Sequence, residues 1–279
     1  MLELLKYDFF IHALLASIFT AITCGIIGTY IVSRRIVFIS GGISHTSFGG
    51  VGIGYYLGIN PIIGAAAFAV LAALGIETLS RKSELLEDSL IGMMWSFGMA
   101  VGIIFIFLTP GYAPNLMTYL FGNILTVSRL DILLMAGLSL LITAVFLLLF
   151  KEILFLSFDK EYAETQGIPV STISYLLISL VALTIVINIR VVGIILVISM
   201  LTIPQAAANL VSKNFRHIIF YSIGFAFLAS ISGLVISYTL NIPSGAAIIF
   251  CSIVILGISK AIVYIQTRIK LSNELRSSD

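Results

Sequence analysis

The chain has 279 residues, 59% hydrophobic and 10% charged, with a formal net charge of +2 and a mean hydropathy of +1.15. A soluble domain carries about a quarter charged residues, so this composition excludes a fold that faces water on all sides and calls for a bilayer. The small net charge, without a basic run beside aromatic residues, excludes a nucleic-acid partner, and Cys24 and Cys251, each deep in an apolar stretch, suit packing rather than a disulfide.

The apolar run from Phe9 to Val32 is too long for the hydrophobic region of a signal peptide, and no small-residue cleavage site follows it. It is predicted as the first membrane helix. A span needs roughly twenty apolar residues, and Ile36–Ile76 is about twice that, divided by the turn residues Asn60-Pro61 into two spans. Ser89 to Thr109 holds one span. The following "PGYAPNLMTYLFGNILTVS" is broken by Pro110, Gly111, Pro114 and Gly122, and its pattern leaves open whether it crosses, re-enters or lies on the membrane. Ile132–Phe150, Ser171–Ile189 and Val191–Ser212 give one span each, and His217–Ser259 divides at "NIPSG" into two. The expected fold is all-α: one polytopic membrane bundle over residues 1–279, with about nine transmembrane helices and short loops.

Alternating these spans collects Arg34, Arg35, Arg81, Lys82, Lys151, Lys160, Lys213, Arg216, Lys260, Arg268, Lys270 and Arg276 on one side, leaving Lys6, Arg129 and Arg190 on the other. Cytoplasmic loops are enriched in Lys and Arg, so the N-terminus is expected outside and the C-terminus in the cytoplasm.

The second span reads "VFISGGISHTSFGGVGIGYYLG". On a 3.6-residue period Gly41, His45, Gly49 and Gly52 share one face, and Gly50, Gly54 and Gly58 line another. Such glycines let helices approach closely where lipid supplies no hydrophobic drive. An imidazole in this setting needs a hydrogen-bond partner or a metal. One reading of His45 is an interhelical hydrogen bond to a serine or carbonyl; the other is a ligand on a translocation path, where neutral imidazole suits zinc, manganese or iron. His12, near the outer end of the first span, is an interfacial histidine or at most a weak metal ligand. His217 adds to the cytoplasmic positive charge, and Met93, Met94 and Trp95 are expected to pack between helices.

All thirteen acidic residues fall in predicted loops or at span ends. The chain therefore lacks the mid-membrane carboxylate of a proton-coupled carrier, a serine paired with a base, and a phosphate-binding loop. Uphill transport by such a chain would need work from a partner. The loop "LSFDKEYAETQGIPVS" is the place for one to act. Ser157 or Asp159 can cap a short helix, Glu161 suits its positive N-terminal end, and Gly167 ends it before Pro169. A solvated connector and a docking helix both fit these residues.

With those segments in view, the chain resembles permease subunits of the zinc/manganese class of bacterial ABC importers, the ABC-3 family. The resemblance runs through "YDFFIHALLAS", "GGISHTSFGGVGIGYYLG", "LEDSLIGMMWSFGMAVGII", "YLFGNILTVS", "FDKEYAETQGIPV", "VVGIILVISMLTIPQAAANL" and "YTLNIPSGAAII", in that order. It implies a permease of the bacterial cytoplasmic membrane that pairs with a second permease subunit, a homodimer being expected. ATP hydrolysis would belong to a separate cytoplasmic ATPase, so the chain itself is not expected to be an enzyme. The ATPase would contact the segment holding Asp159, Glu161, Tyr162, Ala163, Glu164, Gly167 and Pro169. An extracytoplasmic metal-binding protein would deliver the ion. The family's histidine falls on His45, after Ser44, but the aspartate many members carry four residues earlier is Gly41 here. An acid some members carry near the last outer turn is Asn241. No cofactor is expected to be held permanently. The transported substrate would be Zn2+ or Mn2+, zinc first because imidazole remains while carboxylates are missing, with manganese or iron next. The alternatives are a permease for chelated iron or a cobalamin-like cofactor, and a non-transporting membrane scaffold.

Overall fold

A computed structural model describes residues 8–83, 85–110, 122, 124 and 127–277, with side chains described up to 270. Most of the broken segment at 110–128, and Lys6, lie outside the described residues. Among those residues there is helix and no strand. This is the economical answer to lipid, because a helix satisfies its own backbone hydrogen bonds. The helices are α1 (Asp8–Ser33), α2 (Phe38–Leu57), α3 (Pro61–Lys82), α4 (Glu87–Leu108), α5 (Arg129–Leu148), α6 (Phe150–Phe158), α7 (Lys160–Thr165), α8 (Val170–Val192), α9 (Ile194–Met200), α10 (Ile203–Val211), α11 (Phe215–Leu240) and α12 (Ser244–Ser277).

Eight helical stretches among the described residues are long and apolar enough to cross a membrane, and α9 and α10 together form one of them. The 20-residue α2 has the length of a ninth span without the hydropathy. Its glycines, serines, threonines and histidine dilute the apolar signal, and protein takes the place of lipid around it. From Ile39 to Gly52 every residue except His45 is buried. The buried hydroxyls are satisfied within the helix: Ser44 Oγ donates to Ser40 O at 2.6 Å and Thr46 Oγ1 to Gly42 O at 2.7 Å.

The bundle has two groups. Helices α2, α3 and α4 pack on one another, and α3 leans on α8; α1, α11, α12 and α10 form the second group, with α5 against α1. Both groups share α8, which is buried along most of its length. A polar cross-link sits between α1 and α8, where Thr20 Oγ1 donates to Asn188 Oδ1 at 2.9 Å and Asn188 Nδ2 donates to Thr184 O at 2.7 Å.

The span expected as one helix over Val191–Ser212 is broken. Gly193, at φ 80°, separates α8 from α9, and Leu201-Thr202 separates α9 from α10, where Pro204 cannot donate to the preceding turn. The freed carbonyl of Met200 accepts from Gln205 Nε2 at 3.0 Å, and the same nitrogen reaches Cys24 O on α1 at 2.8 Å. Gln205 thus stitches the break to α1.

Turn chemistry sets the remaining ends. Asn60 caps α3 by accepting from Ile62 N at 3.0 Å, with Pro61 in the first turn. Ser128 and Asp131 form a reciprocal capping box at α5. Asn214 caps α11, and Asn241 closes it in the left-handed region at φ 54°.

Candidate functional site

His45 sits in the middle of α2, half-buried in a stretch, Ile39 to Gly52, that is otherwise buried. Its imidazole stacks on the indole of Trp95 from α4, with ring centroids 4.2 Å apart and planes 8° from parallel. Phe38, two turns earlier on α2, lies 6.0 Å from the same indole at a 36° tilt. No hydrogen bond among the described residues holds either nitrogen of His45, so the interhelical hydrogen bond weighed from sequence is replaced by a ring stack. The same residues contain no group of three or more His, Cys, Asp or Glu side chains placed to hold a metal ion together.

The glycines around His45 explain how two helices come close enough for this stack. A Cβ on Gly49 would sit 2.9 Å from Gly98 O on α4, and one on Gly52 would run into the Gly102 carbonyl. On the other side a Cβ on Gly50 would run into the Gly64 carbonyl of α3, and one on Gly54 would lie 2.9 Å from Pro61 Cα. Gly41 faces Trp95, its Cβ position lying 3.4 Å from the indole edge. A Cβ on Gly58 would meet none of the described residues within 4 Å: Gly58 is the left-handed C-cap of α2 at φ 67°, outside the glycine face that the sequence pattern assigns to it. The partners Gly64, Gly98 and Gly102 were not singled out from sequence, although the 98–102 spacing in α4 is a small-xxx-small pattern.

His12 is apart from this site. Its Nδ1 lies 3.1 Å from Val127 O, at the end of the bundle where Asp131 on α5 pairs with Arg190 on α8 at 2.9 Å. Asp131 is almost fully buried there, and sequence reading passed it over because it sits in a loop-like charged cluster.

At the opposite end, α7 projects between α6 and α8. Asp159 caps it by accepting from Tyr162 N at 2.9 Å, whereas Ser157 Oγ turns back to Ile153 O, which settles the choice between the two caps. Glu161 lies in the first turn, and Glu161, Tyr162 and Glu164 are exposed while Ala163 is buried beneath them. Tyr162 stands edge-on to Phe155 with centroids 5.5 Å apart. Gly167, at φ 73°, adopts the left-handed turn that brings Ile168 N back to Ala163 O at 3.2 Å, and Pro169 then leads into α8. A clasp follows directly. Arg81, near the end of α3, reaches Ser171 Oγ at 3.0 Å and Glu77 Oε1 at 2.7 Å, and Thr78 meets Tyr175 Oη at 3.1 Å. The exposed helix is therefore tied through the start of α8 to α3, which carries the glycine contact to α2.

The described residues thus form a multi-pass bundle of membrane-length helices, with a glycine-packed helix carrying a half-buried imidazole. Residues 6–262 match the model of the ABC 3 transport family, and the chain belongs to that family. It is 42% identical to an uncharacterized membrane protein of Synechocystis sp. over 261 residues, covering 94% of this chain and 93% of that one. It is 36% identical to the manganese transport system membrane protein MntC of Listeria monocytogenes over 256 residues, 92% and 91% of the two chains. The solved structure of PsaBC from Streptococcus pneumoniae in complex with Fab superposes with a TM-score of 0.81 at 34% identity, covering 92% of each chain.

Proposed function

We propose that this chain is the membrane-spanning permease of an ATP-driven importer of divalent transition-metal ions, with His45 as a ligand on the path. The observation that carries the reading is the setting of His45, the one residue between Ile39 and Gly52 that is not buried, on a helix whose glycines exclude lipid. Family membership and the manganese named for the Listeria relative support manganese as the cargo. A second reading, zinc, is favoured by the donor set, since imidazole suits zinc and the described residues offer no carboxylate cluster beside it. A single transient ligand per subunit fits transport, because an ion held by a full shell would leave slowly.

The work would come from a cytoplasmic ATPase seated on α7, and the ion from an extracytoplasmic metal-binding protein. A second permease copy would complete the pore. The end carrying Arg34, Arg81 and Arg216 would face the cytoplasm by the positive-inside rule. Competitive uptake of radioactive manganese and zinc, in cells lacking their own importers, tests both readings. His45→Ala should lower uptake sharply while the complex with the ATPase still assembles, and unchanged uptake would refute the role of His45.

A further inference from the structure

We propose that Trp95 is the positioning residue for His45, fixing the plane of the imidazole in which a metal would bind. The inference rests on the reading of His45 as a metal ligand. A ligating histidine ordinarily has its second nitrogen fixed by a hydrogen bond, which sets the ring orientation and raises metal affinity. His45 has no such bond among the described residues. Its plane is fixed instead by the near-parallel indole at 4.2 Å.

Three features make this arrangement specific. Gly41, one turn before His45, faces the indole, whose edge lies 3.4 Å from its Cβ position, so a side chain larger than a methyl group there would press on the ring. Phe38 bounds the indole from the next turn, and Ile198 of α9 comes to 4.0 Å of the Gly41 Cβ position. Covering one face of the imidazole leaves the ring plane itself free of the indole, and the lone pair of the unprotonated nitrogen, the one that binds a metal, lies in that plane. An electron-rich indole face also favours the positive charge an imidazole gains when a cation binds it. Stacking thus does here what a hydrogen bond does elsewhere, without adding a further polar group to a membrane helix.

Trp95 is the sole tryptophan of the chain, so its emission reports on this stack directly. The purified full chain in lipid nanodiscs, titrated with Mn2+ and with Zn2+, should show a saturable change in emission that His45→Ala abolishes. In the complete transporter, Trp95→Ala should raise KM for metal uptake about tenfold with Vmax held within about twofold, the size expected for losing a group that orients a ligand. Trp95→Phe, which keeps a ring, should rescue KM to within about threefold. A merely structural tryptophan would lower the amount of folded transporter and Vmax while leaving KM alone, and that result overturns the proposal. If His45→Ala raises KM and Trp95→Ala does not, the positioning role fails by itself. If neither changes KM, the assignment of His45 has failed first. Should Trp95→Ala not reach the membrane, the wild-type titration decides: emission indifferent to both metals contradicts the stack as part of a metal site.

Discussion

Among individual residues, the close contacts are made where side chains are absent. Gly50 and Gly64 bring α2 and α3 together, so Gly50→Leu would force the helices apart. Its expected cost is about 1–3 kcal/mol, the usual range for overpacking a tight interface, seen as a lower melting temperature in detergent. The Asp131–Arg190 pair makes the converse case. Asp131 is buried and Arg190 partly open, so Asp131→Ala should destabilise by about 1–3 kcal/mol through loss of a charged partner and of the α5 cap. Asp131→Asn should recover the cap but not the pair, and a melting temperature equal to wild type in both variants would contradict this account. The position of His45 on the Gly41 and Gly49 face was legible in the periodicity of the sequence. Its stacking partner was not, because Trp95 is fifty residues away and reads as one apolar residue among Met93, Met94 and Phe97.

For the short helix α7, sequence and structure agree closely, since its signals are local. Asp159, Glu161 and Gly167 mark its start, first turn and end within nine positions, and each takes the place the sequence assigns. Local chemistry separates two effects of mutation there. Asp159→Asn keeps an oxygen for the Tyr162 amide and should leave the helix intact, whereas Asp159→Ala should cost about 1 kcal/mol of helix stability. In the assembled transporter Asp159→Ala and Gly167→Ala should keep ATP hydrolysis while reducing metal uptake per ATP; normal coupling in both would count against α7 as the docking element. The break between α9 and α10 shows where sequence reading stops. Pro204 was visible, but the apolar run from Val191 reads as one span because the amide of Gln205, which satisfies the opened backbone, comes from tertiary contact with α1. The same reason hides α2 from hydropathy, since its surroundings are protein.

Across the whole molecule, the arrangement of charge and chemistry is one-sided. Exposed α7, the Arg81 clasp and Arg216 over the Phe150 ring lie at one end, with the Asp131–Arg190 pair and His12 at the other. Between the ends the described residues offer an imidazole and small polar groups, with the buried acids Glu77 and Asp131 confined to span ends and paired with arginines. Among the described residues, no other acid is buried within the bundle. On the proposed function, a separate ATPase drives the chain from its Arg81 end. The direct test is reconstitution into liposomes, measuring manganese and zinc accumulation with the chain alone, then with its ATPase, binding protein and ATP. Accumulation against a gradient only in the complete system is the predicted result; uphill accumulation by the chain alone would contradict it.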